Sequence, residues 1–315
     1  MSTTHCSWPP LHRRYWVLQP THACSVLDVQ LRGQEPPLVV VPEDTYRMGG
    51  RIEPLLQVAS VAAWRLGKQQ PQLRFQIQVH DEQPQHTCLR FDAAASDPGI
   101  LLPDPYALGS QGYKLFRNQL SHHPLPAWKK RWPIAFWRGS STGIKALTVS
   151  RLPQNPRYQL CQLSQSHPLM LDARLTSVVQ CRDQDAMQLV QDTLERDSLL
   201  APRSEPWTFA QHRFLIEIDG NVNSWGLLWK LLSGSCVLRV ESNRRQWYHS
   251  ELQPFRHFVP VTRDLSDLID KLQWCQSHTD QCERIAAAGH QLAMNEIKQL
   301  GRRVVSAVDD LGKQL

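Results

Sequence analysis

No run in this 315-residue chain comes near the roughly 20 consecutive apolar residues that a helix needs to span a bilayer. The richest apolar stretches, 59–63 and 227–232, are short and flanked by polar residues, so the sequence argues against an integral membrane protein. The first ten residues, MSTTHCSWPP, lack a basic start, an apolar segment and a small-residue cleavage site, and without a secretory signal the expected compartment is the cytoplasm. The eight cysteines, at 6, 24, 88, 161, 181, 236, 275 and 282, form no CxxC pair and no short rhythm. They are read as reduced thiols in a chain large enough to fold without staples. The nearest approach to a metal cluster, Cys275, His278 and Cys282, lacks a fourth ligand nearby, and no metal is assigned. A long basic tract is also missing. Net charge is +6, the excess falls mainly in 129–290 (20 basic against 16 acidic residues), and only Lys129-Lys130-Arg131 form a run of three. That pattern excludes a nucleic-acid binder and suits one local anionic ligand such as a phosphate ester.

What is present is enough apolar residue, 41%, for two ordinary domains. Residues 54–68 place Leu55, Val58, Ala59, Ala62 and Leu66 at spacings of three and four, which predicts an amphipathic helix with Pro54 in its first turn. Leu73, Phe75, Ile77 and Val79 then alternate with polar residues, the period of a strand with one buried face, and this strand delivers His80-Asp81 at its end. Ile100-Leu101-Leu102 predicts a further strand leading into a structured loop, and the prolines at 124, 126 and 133 punctuate a basic segment that sets a domain boundary near 128. Three segments follow from composition: 1–128, 129–290, and a C-terminal helix over 291–315.

In the middle segment strands are expected at 134–137, 214–218, 236–240 and 255–261, with helices at 225–232 and from Asp264 or Ser266 to Trp274. Residues 281–312 read as helical. Strand, turn, helix, strand is the unit of a parallel sheet, so the fold class is α/β, whose ligands gather at the carboxyl ends of strands. Two turns stand at such ends. Arg138-Gly139-Ser140-Ser141-Thr142-Gly143 offers small residues, hydroxyls and a guanidinium before an expected helix, although neither GxxxxGK[ST] nor GxGxxG is met. Asp219-Gly220-Asn221-Val222-Asn223-Ser224 lies between an apolar strand and an apolar helix. Taken singly, each turn is as well explained by turn and capping chemistry, and Asp81 by a solvated strand end.

Their order along the chain adds what no single turn carries. Val79-His80-Asp81, Leu102-Pro-Asp-Pro-Tyr-Ala-Leu108, Phe136-Trp-Arg-Gly-Ser-Ser-Thr-Gly143, Arg213-Phe-Leu-Ile-Glu-Ile-Asp-Gly-Asn221, Leu228-Trp-Lys-Leu-Leu-Ser-Gly-Ser235, Trp247-Tyr248 and Leu252-Gln-Pro-Phe-Arg-His-Phe-Val-Pro-Val261 together resemble glycosyltransferase family 90 over about 73–290. This is the group of lipopolysaccharide-modifying, capsule-associated and protein O-glucosyltransferases. The resemblance implies a GT-B architecture of two Rossmann-like domains facing across a cleft. It also implies a UDP-sugar donor held by the second domain, an acceptor held by the first, and inversion at the sugar C1 without metal or other cofactor.

Carried over residue by residue, Asp81 matches the general base and Ser140 a position at the donor phosphates. Arg138, Gly139, Ser141 and Thr142 are helpers by location, and Asp219, Gly220, Asn221 and Ser224 line the second turn. The protein O-glucosyltransferase branch has an arginine where Gly226 stands here, and another shortly after the Arg-Gly-Ser run, for whose place Lys145 and Arg151 are the candidates. The Asp-Gly-Asn and Trp-Lys-Leu-Leu-Ser-Gly-Ser wording is closer to the bacterial-type branch, which implies a glycan or lipid-linked acceptor and peripheral contact with the inner membrane surface. The alternative reading is a noncatalytic glycan- or nucleotide-binding relative.

Overall fold

The computed structural model describes residues 15–19, 26–33, 35–42, 49–81, 88–97, 99–123 and 125–314. The chain divides into two compact units. The first comprises the described residues up to Tyr113 together with Arg244–Ser250 and Asn295–Leu315, and the second comprises Lys114–Asn243 and Glu251–Met294. The contiguous segmentation expected from composition therefore differs from the observed one: the first unit takes back two later pieces of chain.

In the first unit β1 (Tyr15–Gln19), β2 (Val26–Arg32), β3 (Glu35–Pro42), β4 (Arg74–Gln78) and β5 (Cys88–Leu89) form one sheet in the order β1-β3-β2-β4-β5. β2 runs antiparallel to both β3 and β4, while β1–β3 and β4–β5 are parallel. This corrects the expectation of a Rossmann-like first domain: a β2–β3 hairpin, leaving β2 at Gly33 with φ +63°, puts a reversed strand inside the sheet. Helix α1 (Gly49–Leu66) packs on β2 and β3, burying Leu55, Val58, Ala59, Ala62 and Leu66 as the spacing predicted. It begins five residues earlier than expected, so Pro54 lies inside it and cannot return a hydrogen bond to Gly50.

β4 buries Phe75 and Ile77 as predicted but is shorter than expected, ending at Gln78 before Val79-His80-Asp81, and Gln78 is fully buried as well. The Gln78 amide donates to the His80 carbonyl (3.0 Å) and accepts from the Phe91 N–H (3.3 Å). The expected strand at 100–102 is only a single bridge, Arg90 to Leu101. It leads to a one-turn helix, α2 (Pro105–Gly109), capped by Asp104 through the Tyr106 and Ala107 N–H groups. β6 (Ala93–Ala94) pairs antiparallel with β11 (Arg244–Arg245).

The second unit opens with α3 (Lys114–His122). Its sheet holds β7 (Ala135–Ser140), β8 (Leu171–Ser177), β9 (Phe214–Glu217), β10 (Cys236–Val240) and β12 (Val259–Val261), all parallel, in the order β12-β10-β9-β7-β8. Around it lie α4 (Pro156–Ser166), α5 (Gln184–Arg196), α6 (Pro206–Ala210), α7 (Leu227–Leu232), α8 (Leu268–Ser277) and α9 (Thr279–Lys298), the last running on into the first unit, where α10 (Leu300–Gln314) follows. The predicted helix over 281–312 is these last two, broken at Gln299. β9 is buried at every position and β10 at all but Arg239, as expected of strands covered on both faces. Ala135, Trp137, Phe214, Ile216 and Leu238 face one core, and Phe136 and Leu215 meet Phe209 and Trp229 on the other.

Two elements toward the end of this unit depart from the expected bounds. The strand expected over 255–261 is paired only at Val259–Val261. α8 begins after Asp267 rather than at Asp264 or Ser266, because the Asp264 carboxylate accepts from Ser266 in a local turn (3.1 and 2.7 Å) and Asp267 accepts from Thr262 (2.9 Å).

Candidate functional site

Strands β7 and β9 are neighbours in the sheet but consecutive to different crossovers, one passing out to β8 and the other to β10. Such a switch of direction leaves a crevice beyond the carboxyl ends of the two strands, where the chain departs to opposite sides. The first turn singled out in the sequence takes in the last three residues of β7, the second follows β9, and the two touch. The Gly143 N–H donates to Asn221 Oδ1 (3.1 Å), and a Cβ placed on Gly220 would stand 2.5 Å from Thr142 Oγ1. At Gly143 the chain turns with φ +120°, which only glycine adopts without strain.

Beneath both turns lies Arg157, at the start of α4, which sequence reasoning missed. Its guanidinium donates to the carbonyls of Ser140 (3.1 Å), Ile218 (3.2 Å) and Asp219 (3.0 Å) and to Thr142 Oγ1 (2.6 Å). Burial lowers its pKa to about 10 against the pull of Glu217 and Asp219, so it stays charged at neutral pH. A cation in the first turn of a helix opposes the helix dipole, and Asn155-Pro156-Arg157 was the available signal that this arginine has acceptors elsewhere. Asn155 caps α4, accepting from the Arg157 and Tyr158 N–H groups (2.9 and 3.1 Å), and its own amide donates to the Ser141 carbonyl (2.8 Å). No helix follows the first turn directly, contrary to expectation: the chain passes through a 3₁₀ segment, Val149–Gln154, before α4.

The expected donor residues divide into those facing the crevice and those holding its walls. Arg138 is held by Asp172 through both terminal nitrogens (3.0 and 2.8 Å) and by the Trp137 and Asp172 carbonyls, over the ring of Phe136. Arg138, expected among the donor-site residues, thus braces β7 against β8. It sits within β7, which runs on through Gly139 and Ser140, and a Cβ on Gly139 would collide with the Trp137 indole. Ser141 is buried, exchanging hydrogen bonds with Val179 (3.1 and 2.9 Å) and thereby tying the end of β7 to the chain after β8.

Ser140 is half-buried and its hydroxyl makes no hydrogen bond among the described residues. Lys145 is exposed, and Arg151 folds back on the carbonyls of Lys145 (2.7 Å) and Ala146 (3.2 Å). Asp219 accepts from the Ser224 N–H (3.0 Å) and from Ser242 Oγ after β10 (2.5 Å). It closes its own turn instead of capping α7, whose cap is Gly226. Ser224 accepts from the Gly226 N–H (3.3 Å). Beside Gly226 lies a buried ion pair, Lys230 with Glu217 (2.5 Å), Lys230 also donating to the Ile216 carbonyl (2.8 Å). A Cβ at 226 would meet both partners at 3.2 Å, so the space beside Gly226 is taken by this pair. The crevice therefore gathers Ser140, Thr142 and Asn221 over a buried positive charge, a surface suited to an anion.

In the first unit Asp81 is ion-paired with Arg51 (2.9 Å). Arg51 also donates to the Val79 carbonyl (3.0 Å) and to Tyr106 Oη (3.1 Å). Burial opposes its charge, but Asp81 and Tyr106 outweigh it and its pKa is raised. His80 Nε2 is buried and has no hydrogen-bond partner among the described residues. Asp104, wholly buried, has its pKa raised by burial to about 6 against the two N–H groups it caps and Arg51. Among the described residues no three His, Cys, Asp or Glu side chains are grouped to hold a metal ion.

The model of glycosyl transferase family 90 matches residues 92–303, two thirds of the chain. The chain belongs to glycosyl transferase family 90. Protein O-glucosyltransferase 2 of Danio rerio is 28% identical over 175 residues, which are 56% of this chain and 31% of that protein. Protein O-glucosyltransferase 1 of Bos taurus is 27% identical over 194 residues, 61% of this chain and 45% of that protein. The chain thus spans less than half the length of these relatives. The structure of Anabaena HepE in complex with UDP-glucose superposes with a TM-score of 0.41 and 13% identity over 64% of this chain and 53% of the other. No helix among the described residues of this family 90 chain is long and apolar enough to cross a membrane.

Proposed function

We propose that this family 90 chain is an inverting transferase that moves a sugar from a UDP-sugar to a hydroxyl of a glycan or lipid-linked acceptor, in a GT-B arrangement of its two units. The carrying observation is that the ends of β7 and β9 meet over Arg157, whose buried guanidinium holds the Ser140 carbonyl and the Thr142 hydroxyl while the Gly143 N–H reaches across to Asn221. In this reading the diphosphate lies in that crevice. As the bond to C1 breaks, UDP gains charge, which these oriented donors stabilise with no metal ion taking part. Asp81, oriented by Arg51 and Tyr106, takes the acceptor hydroxyl's proton while the oxygen attacks C1 from the face opposite UDP. A base on that face gives inversion.

A second reading takes a protein hydroxyl as acceptor and is favoured by the names of the relatives. Against it, the arginine of that branch is replaced at Gly226, whose surroundings are filled by Lys230 and Glu217. The proposal further places the protein on the cytoplasmic side, peripheral to the membrane, where UDP-sugars are made.

Thermal unfolding with UDP, GDP and CMP sugars tests the donor, because a ligand that binds only the native state raises apparent stability by mass action. UDP is expected to stabilise the protein equally with and without EDTA, with slow hydrolysis of one UDP-sugar. Stabilisation that vanishes with chelator removes the metal-free part, and indifference to all UDP compounds removes the whole reading.

A further inference from the structure

A pocket of about 650 Å³ in the first unit contains none of the residues assigned to the donor or to the proton transfer. One wall is a face of α10, where Arg303, Ser306 and Lys313 recur at helical spacing, and the other is the Arg245-Gln246-Trp247 run after β11 begins. The volume is within the range of small-molecule sites. Its inventory is unbalanced. Gln246 Nε2, Trp247 Nε1 and Arg245 Nε are buried donors with no hydrogen-bond partner among the described residues, and Gln246 and Trp247 are 3% and 7% exposed. Buried donors left unmade are costly, and three on one short segment call for acceptors from outside the chain.

The charges are unbalanced as well. Arg303 is matched by Glu296 through two bonds (3.1 and 2.7 Å), and Lys313 by Asp310 (2.8 Å). Among the described residues Arg245 donates only to the main-chain oxygens of Asp97 and Gly99 and forms no ion pair. Its neighbour Arg244 pairs with Asp92 and lies within electrostatic reach of Asp81. Successive strand residues point to opposite faces, so β11 sends one guanidinium toward the Asp81 side and the next toward the pocket.

We infer that this pocket binds a sugar bearing one acidic group, its hydroxyls accepting from Gln246 and Trp247 and its carboxylate or phosphate facing Arg245. An extended polyanion is disfavoured because the other two cations are already paired. The inference goes beyond the transfer reading and does not depend on it.

Calorimetric titration of the full chain with glucuronate, glucose 6-phosphate, glucose and inorganic phosphate tests it. At least one acidic sugar is expected to bind tenfold or more tighter than glucose and tighter than phosphate, and the stronger of the two identifies the acid group. Ser306→Trp, at an exposed lining position, fills the pocket and is expected to abolish this binding. Trp247→Phe keeps the ring, removes the N–H and is expected to weaken it about fivefold. If Trp247→Phe fails to fold, Ser306→Trp alone decides. Glucose or phosphate binding as tightly as both acidic sugars overturns the inference, as does absence of binding by every probe or unchanged affinity in folded Ser306→Trp. UDP stabilisation measured on the same samples keeps failure of this inference apart from failure of the donor reading.

Discussion

Arg157 Nη1 lies 2.6 Å from Thr142 Oγ1, with the hydroxyl accepting, and this one bond joins the first turn of α4 to the turn that ends β7. The same guanidinium reaches the carbonyls at the end of β9, so the width of the crevice is set by a residue that faces it only from below. Arg157→Met keeps the stem and strands three carbonyls and a hydroxyl without their donor, which should lower stability by about 3 kcal/mol. UDP affinity should fall at least tenfold, and Arg157→Lys should restore only part because an ammonium cannot span both strand ends. Urea unfolding and UDP titration read the two effects. Unchanged UDP affinity in folded Arg157→Met would remove Arg157 from the donor site.

Arg138→Ala is expected to weaken UDP-sugar binding more than Lys145→Ala, and the structure supplies the route. Arg138 braces β7 against β8 through Asp172, so its loss should reduce stability by about 2 kcal/mol, whereas loss of exposed Lys145 should stay within about 0.5 kcal/mol. Asp172→Asn separates bracing from direct phosphate contact. A brace predicts that it weakens UDP-sugar binding in parallel with Arg138→Ala. If Asp172→Asn instead tightens binding, Arg138 is a phosphate ligand restrained by its partner.

Strands β9 and β10 were legible because, Glu217 and Arg239 apart, they are apolar throughout, as a central parallel strand covered on both faces requires. β8 was missed although Leu171, Ala173 and Leu175 alternate inward, since its polar positions match those of an ordinary loop. Gly49-Gly50 concealed the true start of α1, as two glycines argue against a helix that packing nonetheless extends. In the candidate site, chemistry near the chain's own turns was visible and chemistry across the fold was not. Asp81 could be placed at a strand end, yet nothing along the sequence marks Arg51, thirty residues earlier, as its partner. Arg138 read as a ligand because an arginine before Gly-Ser suggests one, and only the register that sets β8 beside β7 supplies Asp172.

Asp104 gives the first unit a pH dependence. Its pKa is about 6 in the fold against 3.8 unfolded, the shift coming from burial. The native state therefore prefers the neutral acid, and the contribution is complete below pH 3.8 and lost as pH rises through 6. Two pKa units correspond to about 3 kcal/mol as an upper figure. Asp104→Asn keeps the cap for Tyr106 and Ala107 and removes the charge, so it should raise the melting temperature at pH 8 and leave it nearly unchanged at pH 4. A variant less stable than wild type at pH 8 would show that the carboxylate's attraction to Arg51 exceeds its burial penalty.

Asp81 carries the proposed proton transfer, and its surroundings make the substitution readable. Arg51 is fixed by the Val79 carbonyl and Tyr106 as well as by Asp81, so Asp81→Asn, which still offers an oxygen to Arg51, should fold normally and keep UDP affinity. It should lose proton acceptance, lowering transfer to the acceptor at least 10²-fold, about 2.7 kcal/mol of barrier. Donor hydrolysis, in which water replaces the acceptor, should fall with it. His80 is the rival, because its buried Nε2 has no partner among the described residues and lies one residue away. Near-normal transfer in Asp81→Asn together with loss in His80→Ala would move the base to His80. Full transfer in both folded variants would leave the acceptor hydroxyl without a base in this unit and defeat the mechanism.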